Sequence, residues 1–382
     1  PEGSRSQWLE DMGVEVRWVN KIMHHKFAII DGPRSDLSAA TSGQLITGSA
    51  NWSYSAGTRY DENTLFVAGD ASLNLEFQRE FNLLWDNGRA FPGGEDIVVP
   101  ESVGITQADI PQDVGATVAM TSPNFNISTT SYGPTFSTVA GSEAIRSPLA
   151  DFILSADHSI SVASGHLRSR QITDALIEAW EANPSLDIRV YLDGQEYSSE
   201  SYRDEEEEEY LECLEEATTP TQVHHCEDRG VHFGLNLHEA GIPVRYKYYA
   251  YRWHYSYAVQ QHHKYVIVDD ERVASGSYNF SNNAEHDSFE NIIFFEGGAY
   301  SAVIEDFVSN FETIWDTGRT GLYESLMAQI TETEDDFPIV FDSMALSWPE
   351  ITELKSAVLA NCPEINSEDY RSAPQSHTAC ER

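Results

Sequence analysis

The chain has 382 residues, of which 62 are Asp or Glu and 23 Lys or Arg, for a net charge of −39 with 41% hydrophobic residues. That length can bury a substantial core in two domains or two halves of one unit, and no apolar run approaches the ~20 residues of a membrane-spanning helix. So acidic a surface, with only five lysines, repels phosphate backbones and anionic membranes at ordinary salt. It is equally what solubility at high salt requires, so the charge weighs only lightly against a polyanionic substrate.

In chain order, "HHKFAIID" (24–31) alternates as a half-buried strand does, with His24 and Lys26 on one face and His25 and Phe27 on the other. "GPRSDLSAATSGQ" (32–44) reads as a long hairpin loop, and "GSAN" (48–51) as the turn after the next strand. Residues 91–115, rich in Pro, Gly and acids, read as a linker. "SPLADFILSADHSISVASGHL" (147–167) carries a helical apolar pattern and then a β-rich run. "QITDALIEAWEA" (171–182) is an amphipathic helix with Ile172, Leu176, Ile177 and Trp180 apolar, and "LDIRVYLDG" (186–194) a short strand ended by Gly. The run "RDEEEEEYLECLEEATTPT" (203–221) is a solvated acidic insertion. "RYKYYAYRWHYSYAVQQ" (245–261) is an aromatic strand and loop packing on the core, or alternatively an interfacial lip that meets headgroups. The last helix, "PEITELKSAVLAN" (349–361), is entered through Pro349.

Alternating strands and helices imply an α/β fold with helices covering its sheets. The chain also contains an internal repeat. "LEDMGVEVRW" (9–18) matches "LHEAGIPVRY" (237–246), "GSANWS" (48–53) matches "GSYNFS" (276–281), and "DENTLFV" (61–67) matches "FENIIFF" (289–295), all at an offset of 228. "FNLLWDNGR" (81–89) pairs with "FETIWDTGR" (311–319) at 230. Residues 117–228 have no partner in the first copy, so the first unit is expected to be incomplete and to begin partway through its sheet. The expected divisions are 1–90 for the first unit, 91–116 for the linker, 117–322 for a complete second unit and 323–382 for a helical tail.

Cys213, Cys226, Cys362 and Cys380 permit three disulfide connectivities. Short loops favour Cys213–Cys226 and Cys362–Cys380, which would place the protein in an oxidising compartment, secreted or periplasmic. A metal site at His224, His225 and Cys226 is the weaker alternative, because no closely spaced cysteine pair accompanies it.

Each copy sets a His and a Lys on one strand face before a Gly-Ser-x-Asn turn, an arrangement suited to an anion. Lys26 and Lys264 supply point charges, Asn51 and Asn279 amide N–H groups, Ser49 and Ser277 hydroxyls, and glycine lets the backbone approach. Glu62 and Glu290 each lie eleven residues past the Asn. A carboxylate accepting from a histidine Nδ1–H fixes the tautomer and aims Nε2 at substrate, so each glutamate is expected beside its own repeat's histidine. One His-Lys pair on a strand would be a surface pair and one GSxN a common turn; two copies with matched carboxylates favour catalysis.

The pattern His-x-Lys-x4-Asp-x6-Gly-Ser-x-Asn is met by His262, Lys264, Asp269, Gly276, Ser277 and Asn279. His24, Lys26, Asp31, Gly48, Ser49 and Asn51 repeat it with sixteen residues rather than six after the Asp. In these motifs the chain resembles the phospholipase D superfamily, over roughly residues 9–90 and 117–320. The resemblance implies two pseudo-twofold-related α/β units with mixed sheets, one active site shared by both motifs, and a covalent phosphohistidine. It implies His24 as nucleophile and His262 as general acid, an assignment that could be reversed. Lys26, Lys264, Asn51, Asn279, Ser49 and Ser277 would hold the phosphate, and Asp31 and Asp269 would complete the catalytic motifs as braces. No metal or cofactor is called for. The implied partner is a phospholipid, hydrolysed or transphosphatidylated at a membrane surface by a monomer that is an internal pseudo-dimer. Nucleic acid is the alternative substrate, and a non-catalytic binding protein on the same fold the alternative of another class.

Overall fold

Two sheets of unequal size carry the two copies of the repeat in the computed structural model, which describes residues 3–92, 97–112, 115–227, 231–249, 258–319, 321–332, 340, 342–362 and 367–372. The first sheet is antiparallel, with strands β1 (Ala28–Ile30), β2 (Gln44–Gly48) and β3 (Thr64–Ala68) in that order. Helix α1 (Ala71–Asp86) follows, and its N-cap Asp70 accepts the Leu73 backbone N–H at 2.9 Å. Leu73, Leu75, Phe77 and Leu84 form its buried stripe.

The second sheet has eight strands. In chain order they are β4 (Ala116–Met120), β5 (Ser159–Ser164), β6 (Asp187–Asp193), β7 (Val244–Tyr248), β8 (Lys264–Val268), β9 (Arg272–Gly276), β10 (Asn291–Glu296) and β11 (Met344–Ser347). Their spatial order is β11-β7-β6-β5-β8-β9-β10-β4. Strands β5, β6 and β7 are parallel, as crossover helices require, and the remaining pairings are antiparallel. Helices α2 (Arg146–Leu154) and α3 (Arg170–Ala182) flank the parallel strands at the places where the sequence reads helix. The two halves share a core: Leu45, Leu65, Leu73 and Phe77 of the first pack in one cluster with Tyr265, Ile293, Phe307 and Phe311 of the second.

Three expectations need correction. Residues 97–112 are not a free linker, because Ile110 is buried against Ala40 and Leu75 and the Val103 carbonyl accepts from Asn82. The second sheet starts at Ala116 rather than after it. The tail is not only helical, because β11 adds the edge strand beside β7 and buries Met344, Ala345 and Leu346 completely. A four-residue strand is too short to show a period, which is why the sequence hides it.

The acidic run forms helix α4 (Glu200–Glu216), N-capped by Ser199 and anchored where Arg203 grips both oxygens of Glu239. A disulfide, Cys213–Cys226, joins it to α5 (Pro220–Glu227). It takes the Cys226 thiolate away from the metal site considered above. Cys380, and with it the second pairing, lies outside the described residues, as do residues 250–257, on which the interfacial-lip reading falls. The Cys213→Ser/Cys226→Ser double variant should loosen this hairpin by about 2–3 kcal/mol, the value for a loop of this length. Limited proteolysis near residues 217–221 should accelerate, and turnover should stay unchanged, since the hairpin touches no motif residue among the described residues.

Candidate active site

The two motifs meet, and they do so by exchanging partners. His262 Nδ1 lies 2.7 Å from Glu62 Oε1, and His24 Nδ1 lies 2.6 Å from Glu290 Oε1. Each histidine is held by the other repeat's glutamate, not its own. The first contact is an aligned hydrogen bond; in the second the ring N–H is turned off the line to the carboxylate. The backbone makes the same exchange, with His24 N donating to Phe289 O at 3.2 Å and His262 N to Asp61 O at 3.0 Å. The next residue along continues it. Asn291 Nδ2 lies 3.0 Å from His25 Nδ1, and Asn63 Nδ2 lies 3.3 Å from His263 Nδ1. Two consecutive strand residues face opposite ways, so each Glu-Asn pair serves both rings of the other copy's His-His pair.

Gly276 makes the approach possible. A Cβ there would sit 2.2 Å from the Asn291 carbonyl oxygen, and at Gly48 the corresponding distance to Asn63 is 2.4 Å, at φ 141°. Glycine therefore lets the glutamate-bearing strand lie against the motif turn. Ser49 and Ser277 stand differently from the phosphate-binding role expected of them. Their hydroxyls donate to Glu62 Oε2 at 2.7 Å and Glu290 Oε2 at 2.6 Å, and both are fully buried. They orient the glutamates. Asn51 and Asn279 are half-buried, and Asn279 Oδ1 has no partner among the described residues, which leaves that amide available to a ligand.

Lys26 and Lys264 are buried and donate to the carbonyls of His24 at 2.7 Å and His262 at 2.8 Å. Burial is the largest influence on each and lowers both, Lys26 to about 8, against the attraction of Glu62 and Glu290. Burial likewise raises Glu62, opposed first by Lys264. His262 is pushed down to about 2, by burial first and then by Lys264, His166, Lys26 and His24. The field at His262 is thus set by both motifs at once.

Asp31 and Asp269 are the members that do not reach the site. Both have left-handed backbones, at φ 51° and 57°, and close the motif strands at the end away from the histidines. For Asp269 that is seven residues of extended chain, roughly 20 Å, from His262. Its carboxylate accepts the N–H groups of Asp157, His158 and Ser159 and pairs with Arg272, so it braces the start of β5. Asp31 is exposed.

Sequence reasoning missed Asn63, Asn291 and the ion pair between buried Lys247 and Asp61 at 2.7 Å. The doubled "EN" beside the doubled "HH" was the available signal. A cleft of about 1490 Å³, lined by Lys21, Thr138, Arg146, Thr219 and His286, contains none of the motif residues.

The family model described as "Cardiolipin synthase, PLD-like domain" matches residues 2–85 and 149–315, well over half the chain. Mitochondrial cardiolipin hydrolase of Chlamydomonas reinhardtii is 38% identical over 87 residues, 22% of this chain and 34% of that protein. The Xenopus laevis protein of the same name is 35% identical over 86 residues, 22% and 36% of the two chains. The chain thus spans about a third of the length of these curated relatives. Among solved structures, Nuc, a phospholipase D family member from Salmonella typhimurium, aligns with a TM-score of 0.32 at 18% identity, covering 52% of this chain and 93% of that one.

Proposed function

Because the chain belongs to the phospholipase D superfamily, we propose that it cleaves phospholipid phosphodiesters through a covalent phosphohistidine. The observation that carries this reading is the exchanged pairing, in which two histidines, each oriented by the other repeat's glutamate, stand with two buried lysines in one site. Phospholipid is favoured over nucleic acid by the family's description and by the names of the relatives. The Cys213–Cys226 disulfide supports an oxidising, secreted or periplasmic setting. One chain supplies both motifs, so a monomer suffices.

Phosphodiester cleavage needs a neutral nucleophile, a proton for the leaving oxygen and cations around the phosphoryl oxygens. Burial and Lys264 keep His262 neutral, and its Nδ1–H is committed to Glu62, which puts the lone pair on Nε2, where Lys264 Nζ lies 3.3 Å away until a phosphate draws that ammonium to its own oxygens. This favours the reverse of the family-based expectation. His262 Nε2 attacks phosphorus, the bond to the headgroup oxygen breaks, and that oxygen takes a proton from His24. Water, or an acceptor alcohol, then returns a proton to His24 as its oxygen bonds to phosphorus, and the phosphorus–nitrogen bond breaks. Lys26, Lys264, Asn51 and Asn279 hold the non-bridging oxygens through both steps.

A panel of cardiolipin, phosphatidylglycerol and phosphatidylcholine vesicles against single-stranded DNA, each with and without EDTA and across salt concentrations, tests the reading. Headgroup release from lipid is expected, with DNA left intact. Cleavage of DNA alone would replace this reading with a nuclease, and phosphate binding without turnover of any substrate would make the fold a binding module. Turnover should survive EDTA, because buried lysines already supply the positive charge at the phosphate. Loss of turnover on chelation, restored by added zinc or calcium, would move the chemistry to another class. Since Lys26 must be charged and is lowered to about 8, kcat/KM should fall as pH rises through that value. A profile flat to pH 10 would exclude the lysine from the free-enzyme titration.

A further inference from the structure

A third histidine stands beside the His262 half of the site. His166 follows the carboxyl end of β5, where the parallel strands of an open α/β sheet leave their ligand crevice. Its Nδ1 lies 2.9 Å from Glu196 Oε1, the same histidine–carboxylate hydrogen bond that holds His262. Its side chain is 25% exposed, matching the 24% of His24, and Nε2 makes no hydrogen bond among the described residues. It also stands next to the motif. A Cβ on Gly165 would lie 2.9 Å from the Gln261 carbonyl oxygen and 3.8 Å from His262 Cδ2, and Gly165 N donates to His263 O at 3.0 Å.

Glu196 does not need His166 to be satisfied. Arg168 donates to it from NH2 at 2.8 Å and the Leu167 N–H at 3.2 Å, and its carboxylate is almost fully buried. A buried carboxylate already met by a guanidinium and a backbone N–H, with a partly exposed imidazole added at its edge, is an aiming device for that imidazole. Burial alone would raise Glu196, but His166 and Arg168 outweigh it and hold the carboxyl down at about 2, so it stays charged behind the ring.

We propose that His166, oriented through Nδ1 by Glu196, is a third phosphate-contacting histidine of this site, protonated on both ring nitrogens when phosphate is bound and donating from Nε2–H to a phosphoryl oxygen on the His262 side. It stabilises the negative charge that collects on those oxygens as His262 attacks. The inference rests on the location of the phosphate site described above, but not on the identity of the lipid.

The test uses inorganic phosphate as probe, with binding followed through the histidine ring 15N shifts of the full chain. His166→Ala should weaken phosphate binding about tenfold, the loss expected for a charge-assisted hydrogen bond. His166→Gln, which restores a side-chain N–H donor, should recover most of it. On whichever phosphodiester the wild type cleaves, His166→Ala should lower kcat more than it raises KM, with the melting temperature unchanged. Equal phosphate affinity in wild type and His166→Ala overturns the proposal, as does loss of affinity in parallel with a lowered melting temperature in both variants. If the wild type cleaves no phospholipid yet binds phosphate through His166, the lipid reading falls and this one stands. A wild type that binds no phosphate overturns both.

Discussion

On an ester with a p-nitrophenyl leaving group, His24→Ala will retain substantial activity while His262→Ala will have none. On a phospholipid, both variants will be close to inactive. The reasoning is that an alkoxide headgroup needs a proton as it leaves, and general acid catalysis is worth about 10²–10⁴-fold in rate. A nitrophenolate leaves without one, so the loss at the acid disappears while the loss at the nucleophile does not. His262 is assigned the attack because burial and Lys264 hold it neutral with Nδ1 tied to Glu62. The measurement is kcat for each variant on both esters, together with isolation of acid-labile phosphohistidine after rapid quench. Activity of His262→Ala, rather than His24→Ala, on the nitrophenyl ester would restore the family-based assignment, with His24 as nucleophile.

Much of the site was legible because chemistry and periodicity coincide in it. Strand alternation puts His24 and Lys26 on one face whatever the fold around them, and duplication marks the same residues at 262 and 264 as more than a surface pair. What spacing cannot say is which copy a residue serves. Glu62 is eleven residues past Asn51 and was expected beside His24, yet near a pseudo-twofold axis the facing element comes from the other half. There the backbone of Asp61 already accepts from His262, so Glu62 is delivered to that ring. The exchange also explains why three of the chain's five lysines are buried. A surface shaped by acidity has shed lysine, while Lys26, Lys247 and Lys264 each face a carboxylate or a carbonyl inside and are retained there. The edge strand β11 and the packing of residues 97–112 were hidden for a different reason: both depend on a few apolar side chains meeting a surface built by distant parts of the chain.

The exchanged glutamates make a second large effect predictable, and its pattern separates exchange from the within-repeat pairing. Glu62→Gln should reproduce the His262 phenotype, with kcat lowered about 10²–10⁴-fold on both the phospholipid and the nitrophenyl ester, because the nucleophile loses the acceptor that fixes its tautomer. Glu290→Gln should reproduce the His24 phenotype, a similar loss on phospholipid that largely vanishes on the nitrophenyl ester. In both variants the serine hydroxyls, Ser49 and Ser277, still have an amide oxygen to donate to, so the buried pocket stays satisfied and the melting temperature should move little. Within-repeat pairing predicts the opposite match, with Glu62→Gln behaving like the loss of His24 and Glu290→Gln like the loss of His262. The double variant Glu62→Gln/His262→Ala should be no worse than His262→Ala alone, since two residues that act through one ring are not additive. Additivity there, with Glu290→Gln/His262→Ala non-additive instead, would return each glutamate to its own repeat and sink the exchanged site.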